Sequence, residues 1–196
     1  MEKRTATVHR RTKETEINLS LDFSTHKETD LSSGIPFFDH ILEAMAFHGG
    51  FSLKIKAKGD VHIDPHHLVE DTGIVMGEAL QKIVKDFGSV HRYGYAVIPM
   101  DEALSEVSID VCERSCLVFK ASFPQEFAGS FHVVLVREFL KALSNRAKIT
   151  IHAACRYGEN SHHMAESLFK ALGKALYVAY MPAWESKEGM STKGTL

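Results

Sequence analysis

The stretch HHLVEDTGIVMGEAL, residues 66–80, decides the fold because it has a second copy, HHMAESLFKALGKAL, at residues 162–176. Both histidines, the glutamate just beyond them, a glycine and the closing Ala-Leu recur at a constant spacing. Upstream, HILEAMAFHGGFSLKI (residues 40–55) pairs with EFLKALSNRAKITIHA (residues 138–153) once a two-residue gap is allowed between strand and helix. That alignment sets His40 against Glu138. An internal repeat of this size governs how the whole chain is read. It predicts two similar halves, residues 1–90 and 91–196, packed together as one compact domain.

The same order of elements runs through each half. Residues 4–23 alternate polar with apolar and β-branched side chains, which predicts a two-stranded hairpin. DLSSG, residues 30–34, reads as a turn. Residues 36–48 carry apolar side chains at helical spacing, stopped by Gly49 and Gly50. FSLKIKAKG alternates as a strand, and Asp64 as N-cap with Pro65 at the first helical position opens a helix running to about Lys85. The second half predicts strands within residues 95–123, a helix over residues 133–143, a strand at AKITIHAAC and a helix opened by Asn160. The fold class is therefore α+β, with strands covering one side of a helix pair in each half.

Composition narrows the function classes. A chain of 196 residues with 44% apolar content buries a substantial core. Lysine plus arginine (23) nearly balance aspartate plus glutamate (25), and no basic tail or aromatic-basic stripe marks a nucleic-acid partner. No apolar run approaches the ~18 residues a membrane span needs, and the N-terminus has no apolar leader core, so no membrane partner and a cytoplasmic location are expected. Cys112, Cys116 and Cys155 show no CxxC spacing, so they read as reduced thiols rather than a disulfide framework or thiolate metal site. Histidine is the outlier, with 12 residues, several clustered.

Helix geometry gives the clusters their chemistry. At about 100° per residue, the glutamate of each triplet lies about 40° round from the first histidine and about 60° from the second. All three share one face, yet the two imidazoles diverge, so each more naturally serves a different ion. Two triplets then hold two metals, each drawing ligands from both halves, with His40 and Glu138 completing the shells. Imidazole and carboxylate donors without thiolate suit manganese, iron or zinc, and lean toward manganese.

The runs GIPFFDHIL, HIDPHHLVEDTGIVMGEAL, HRYGYAVIPMDEAL, ENSHHMAESLFKALGKAL and STKGTL resemble the imidazoleglycerol-phosphate dehydratase family of histidine biosynthesis, over nearly the whole chain. The resemblance implies an internally duplicated fold of ferredoxin-like-type halves, a helix bundle sandwiched between two four-stranded sheets. It implies dehydration of imidazole glycerol phosphate to imidazole acetol phosphate at two manganese ions, and a homo-oligomer, a 24-mer built from trimers. The substrate imidazole would bind as imidazolate. As imidazolate the ring can push out the adjacent hydroxyl and so provide the electron sink that removal of an unactivated carbon-bound hydrogen requires.

Carried over by residue, the resemblance assigns metal ligation to His40, His66, His67, Glu70, Glu138, His162, His163 and Glu166. Glu138 departs from the family, which often carries histidine there. Glu14 in RTKETE is the implied general base. Arg92, Arg114 and Lys170, with Ser191, Thr192 and Lys193 on the tail, are implied substrate or phosphate contacts, suited by guanidinium forks and positive charge. His48 is a further substrate contact. Two other classes fit part of the pattern. A phosphoester hydrolase would also use paired ions and arginines but needs an attacking water that nothing marks. A non-catalytic metal-stabilised assembly leaves Glu14, the arginines and the tail without purpose.

Overall fold

Strict alternation in TATVHRR and TEINLSLD produces an antiparallel hairpin of β1 (Thr5–Arg11) and β2 (Thr15–Asp22), with Thr15, Ile17, Leu19 and Leu21 all turned inward. The structure, a computed structural model, describes residues 4–25 and 28–183. After β3 (Thr29–Ser32) come α1 (Pro36–Gly49), β4 (Ser52–Gly59) and α2 (His66–Phe87). The second half repeats the order: β5 (Tyr93–Met100), β6 (Ala103–Val111), β7 (Cys116–Lys120), a small hairpin of β8 (Phe127–Ala128) and β9 (Phe131–His132), then α3 (Leu135–Ala147), β10 (Ile149–Tyr157) and α4 (Ser161–Ala179).

The two four-stranded sheets have matching orders, β1-β2-β4-β3 and β5-β6-β10-β7, each antiparallel except for a parallel last pair. The ferredoxin-like-type expectation holds at the level of layers, four strands under two helices; the chain order is βββαβα in the first half and the same in the second once the small β8–β9 hairpin is set aside. Against the reading of DLSSG as a turn, Thr29 to Ser32 form β3, paired in parallel with β4. The ladder to β4 satisfies its backbone while only Leu31 packs toward the core, so too little alternation shows in four residues. The turn follows instead at Gly34, whose φ is 80°.

The helices lie between the sheets and pair across the halves, α1 against α4 and α2 against α3. Phe38, Phe139 and Phe169 join the layers, with ring centroids 5.5 Å apart for both Phe38–Phe139 and Phe139–Phe169. Each such fully buried side chain contributes roughly 1.5–3 kcal/mol. The repeated glycine has a packing cause. A Cβ on Gly173 would collide with the carbonyl oxygen of Met45 on α1, and one on Gly77 would lie 2.8 Å from Arg146 Cβ and 2.9 Å from Leu143 O on α3. The caps repeat as well: α1 ends on Gly50 and α3 on Lys148, both left-handed, at φ 77° and 54°.

Candidate active site

Both triplets sit on first turns aimed by the same device. The side chain of Asp64 accepts from the N–H of His66 at 2.8 Å, and that of Asn160 from the N–H of His162 at 2.9 Å. Pro65 already has helical angles and its carbonyl accepts from Val69, so Asp64 acts as the cap with proline in the first helical place. A buried pin behind each triplet fixes the helix to its sheet. Asp71 accepts from Arg10 Nε at 3.1 Å and from the Thr15 hydroxyl at 2.5 Å, while Ser167 and Ser105 hydroxyls meet at 2.7 Å.

One convergent cluster results. His40 on α1 and His162 on α4 direct Nε2 to the same oxygen of Glu166, at 2.9 and 3.0 Å, so the donors come from both halves. Among the described residues, this is the group of three whose potential ligand atoms lie within 4.8 Å of one another. Lys170, expected on the substrate, pairs with the other Glu166 oxygen at 2.7 Å. Burial pushes the Glu166 carboxyl up, but the hydrogen bonds of Lys170 and His40, the lysine charge and His162 outweigh it and hold the group at about 2.

The counterpart set on α2 and α3 is looser. His66 Nε2 is 4.0 Å from Glu70, and Glu138 faces Arg137 at 3.4 Å and Lys141 at 3.7 Å. Glu138 adjoins Phe139, whose carbonyl would meet a Cβ on Gly73 of α2, and among the described residues it does not gather with His66 and Glu70 into a close group of ligand atoms. The second histidines diverge from both sets. His67 Nδ1 meets Asp60 at 3.1 Å, which lifts its affinity for a proton. His163 Nδ1 meets Glu102 at 2.7 Å. That hydrogen bond, with those from backbone N–H groups including Glu159 and Asn160, holds the Glu102 carboxyl down at about 2.

Glu14 lies just ahead of β2, half exposed, 3.8 Å from His67 Nδ1. The other expected contacts are distant from the cluster within one chain. Arg92 donates to Asp110 at 2.7 Å and its backbone N–H bonds Ala179 at the far end of α4, about 25 Å along that helix from His162. His48, edge-on to Phe47, is about 12 Å along α1 from His40. Arg114 is exposed between β6 and β7, its carbonyl accepting from Thr150 at 3.2 Å. Ser191, Thr192 and Lys193 lie outside the described residues. Sequence reasoning missed Asp60 and Glu102. Each is a carboxylate bordering a strand end, a signal readable only once strand pairing is known.

Comparison with known proteins matches this arrangement to one family. The model described as Imidazoleglycerol-phosphate dehydratase matches residues 33–176. The imidazoleglycerol-phosphate dehydratase of Clostridium acetobutylicum is 47% identical over 195 residues, spanning 100% of this chain and 99% of that protein. That of Methanosarcina mazei is 48% identical over 193 residues, spanning 98% and 100%. The crystal structure of the Staphylococcus aureus imidazoleglycerol-phosphate dehydratase superposes with a TM-score of 0.82 at 36% identity, covering 91% of this chain and 99% of that one.

Proposed function

The chain belongs to the imidazoleglycerol-phosphate dehydratase family, hydro-lyases of histidine biosynthesis acting on a small molecule, and on that premise we propose a reaction centre of two manganese ions completed between copies of the chain. The observation that carries this is the convergence of His40, His162 and Glu166. Two imidazoles and a carboxylate without thiolate fit manganese. His66, Glu70 and Glu138 would hold the second ion, and His67 and His163 would complete the two shells. When bound, the ions would supply Lewis acidity that favours the imidazolate form of the substrate ring, which can push out the hydroxyl beside it and so provide the electron sink.

The chain's own residues do the rest. Glu14 takes the proton from the side-chain carbon once the hydroxyl next to the ring has left, and that proton and the hydroxide together account for the water released. Arg92, Arg114 and Lys170, with Ser191, Thr192 and Lys193, contact the substrate and its phosphate, and His48 is a further substrate contact. Three converging donors are too few for a near-octahedral ion, and Arg92 lies about 25 Å along α4 from His162, so one chain supplies only part of a site. Exposed Tyr93, Tyr95, Tyr157 and Ile63 offer apolar surface for association. These features support a homo-oligomer, read here as a 24-mer built from trimers, and the biosynthetic role supports a cytoplasmic location. Among the described residues, no helix is long and apolar enough to cross a membrane.

The test is a dehydration assay on imidazole glycerol phosphate after chelation and after manganese is restored. Chelation should abolish ketone formation and manganese should recover it. Turnover that ignores both treatments sinks the dimetal reading.

A further inference from the structure

Two carboxylates from unrelated places in the repeat reach the same nitrogen of equivalent histidines. Asp60 directly follows β4, where the second half has Gly158 after β10. Glu102 directly precedes β6, where the first half has Glu14 before β2. The registers make Glu14 and Glu102 counterparts. Leu19 faces Ile55 as Val107 faces Ala153, and Ile55 and Ala153 hold the same place in the repeat. Inheritance from a common half therefore does not explain why Asp60 and Glu102 do the same job. A shared requirement at the histidines does.

We propose that Asp60 and Glu102 are positioning residues that fix the tautomers of His67 and His163, keeping the proton on Nδ1 so that Nε2 presents a lone pair to metal. The proposal rests on the dimetal reading above. Glu102 is the more constrained of the two. Its Oε1 accepts from the backbone N–H groups of Glu159 and Asn160 at 3.0 and 2.8 Å, while Oε2 faces His163 Nδ1 at 2.7 Å. The same carboxylate thus ties down the approach to α4 and sets the ring. On the other ring nitrogen, the contact among the described residues is between His163 Nε2 and the exposed Asp101 carboxylate, at 3.6 Å. Both Asp60 oxygens lie near His67 Nδ1, at 3.3 and 3.1 Å, without a comparable backbone anchor among the described residues.

This difference makes an isosteric variant diagnostic. In E102Q the two backbone N–H groups require the amide oxygen at the Oε1 place, so the amide NH2 is turned onto His163 Nδ1. Nδ1 must then accept, the ring proton moves to Nε2, and the lone pair meant for metal is lost. In D60N no backbone N–H among the described residues pins the amide, which can still offer its oxygen.

The experiment pairs a manganese titration, followed by the electron paramagnetic resonance of free ion, with solid-state nitrogen NMR of histidine-labelled, metal-free protein. E102Q should keep a near-normal melting temperature, convert one histidine from the Nδ1–H to the Nε2–H form, and weaken one of two manganese sites about 10–100-fold. D60A should weaken the other site similarly, and D60N less. Should E102Q fail to fold, D60A carries the same test on His67. Wild-type protein that binds two ions, with E102Q and D60A identical to it in affinity and tautomer, overturns the assignment alone. Wild-type protein that binds no manganese overturns the dimetal reading and this assignment together.

Discussion

Glu14 and Glu102 occupy one position of the repeat, each a residue ahead of the second strand of its sheet, and their surroundings differ. Glu102 accepts from an imidazole and two backbone N–H groups and is held at about 2. A carboxylate so well satisfied has little capacity left to take a proton from carbon. Glu14 is 56% exposed at its side chain and 3.8 Å from the nearest histidine nitrogen, because Asp60 has taken the Nδ1 that Glu14 would otherwise meet. On the proposed reading, the two copies of the group have divided the work, Glu102 as a brace and Glu14 as the available base. The helix pairing shows the same divergence: the α1–α4 pair converges three donors on one point, whereas Arg137 and Lys141 draw Glu138 aside on α3.

The comparison breaks most visibly at Glu14. E14Q should lower turnover by about 10²–10⁴, the usual worth of a positioned general base, while leaving manganese uptake at the wild-type level. E102Q should instead lose activity together with metal. Measuring both quantities on both variants separates base from brace, and an E14Q enzyme with near-normal turnover would remove Glu14 from the mechanism.

A smaller effect, on stability, separates the two helix crossings. At α1–α4, a methyl on Gly173 would overlap the Met45 backbone oxygen, and a Cβ on Gly49 would lie 2.7 Å from the Gly173 oxygen. At α2–α3 a Cβ on the repeated Gly77 would lie 2.8 Å from Arg146 Cβ and 2.9 Å from backbone atoms. Overpacking typically costs about 1–3 kcal/mol, more where backbone must move. G173A should therefore lie at or above the top of that range and G77A below it, at roughly 2–4 °C in melting temperature per kcal/mol. Calorimetry on the metal-free protein decides, and an equal or larger drop for G77A would refute the ranking.

Much of this was legible in the chain. The repeat, all four helices and the strands with long alternation follow from periodicity, because side-chain burial repeats in sequence as it does in space. β3 was hidden because its ladder to β4 is a backbone matter and only Leu31 records it. The paired triplets marked His66, His67, Glu70, His162, His163 and Glu166, yet not which of them converge. That depends on whether neighbours such as Arg137 compete for a carboxylate. Asp60 and Glu102 stayed silent because their contacts are made by strand-end loops whose reach only the folded registers define.

The smallest effect sharpens the comparison through pH. Asp60 raises the proton affinity of His67 chiefly by its hydrogen bond, so the stabilisation is complete below the unfolded histidine value of about 6.5 and is lost as pH rises through the folded one. Glu102 is depressed to about 2, chiefly by His163, so its contribution is complete above the unfolded glutamate value of about 4.3 and is lost as pH falls toward 2. The two braces therefore fail at opposite ends of the scale. In metal-free protein, the melting-temperature gap between wild type and D60A should narrow as pH is raised from 6 to 8. The much smaller gap between wild type and E102Q should hold there and narrow only below about 4.3, where the glutamate of the unfolded chain begins to protonate while folded Glu102 stays ionised. Curves that run parallel through both windows would mean that neither hydrogen bond distinguishes its charged form, and the division of labour between the two carboxylates would lose its electrostatic basis.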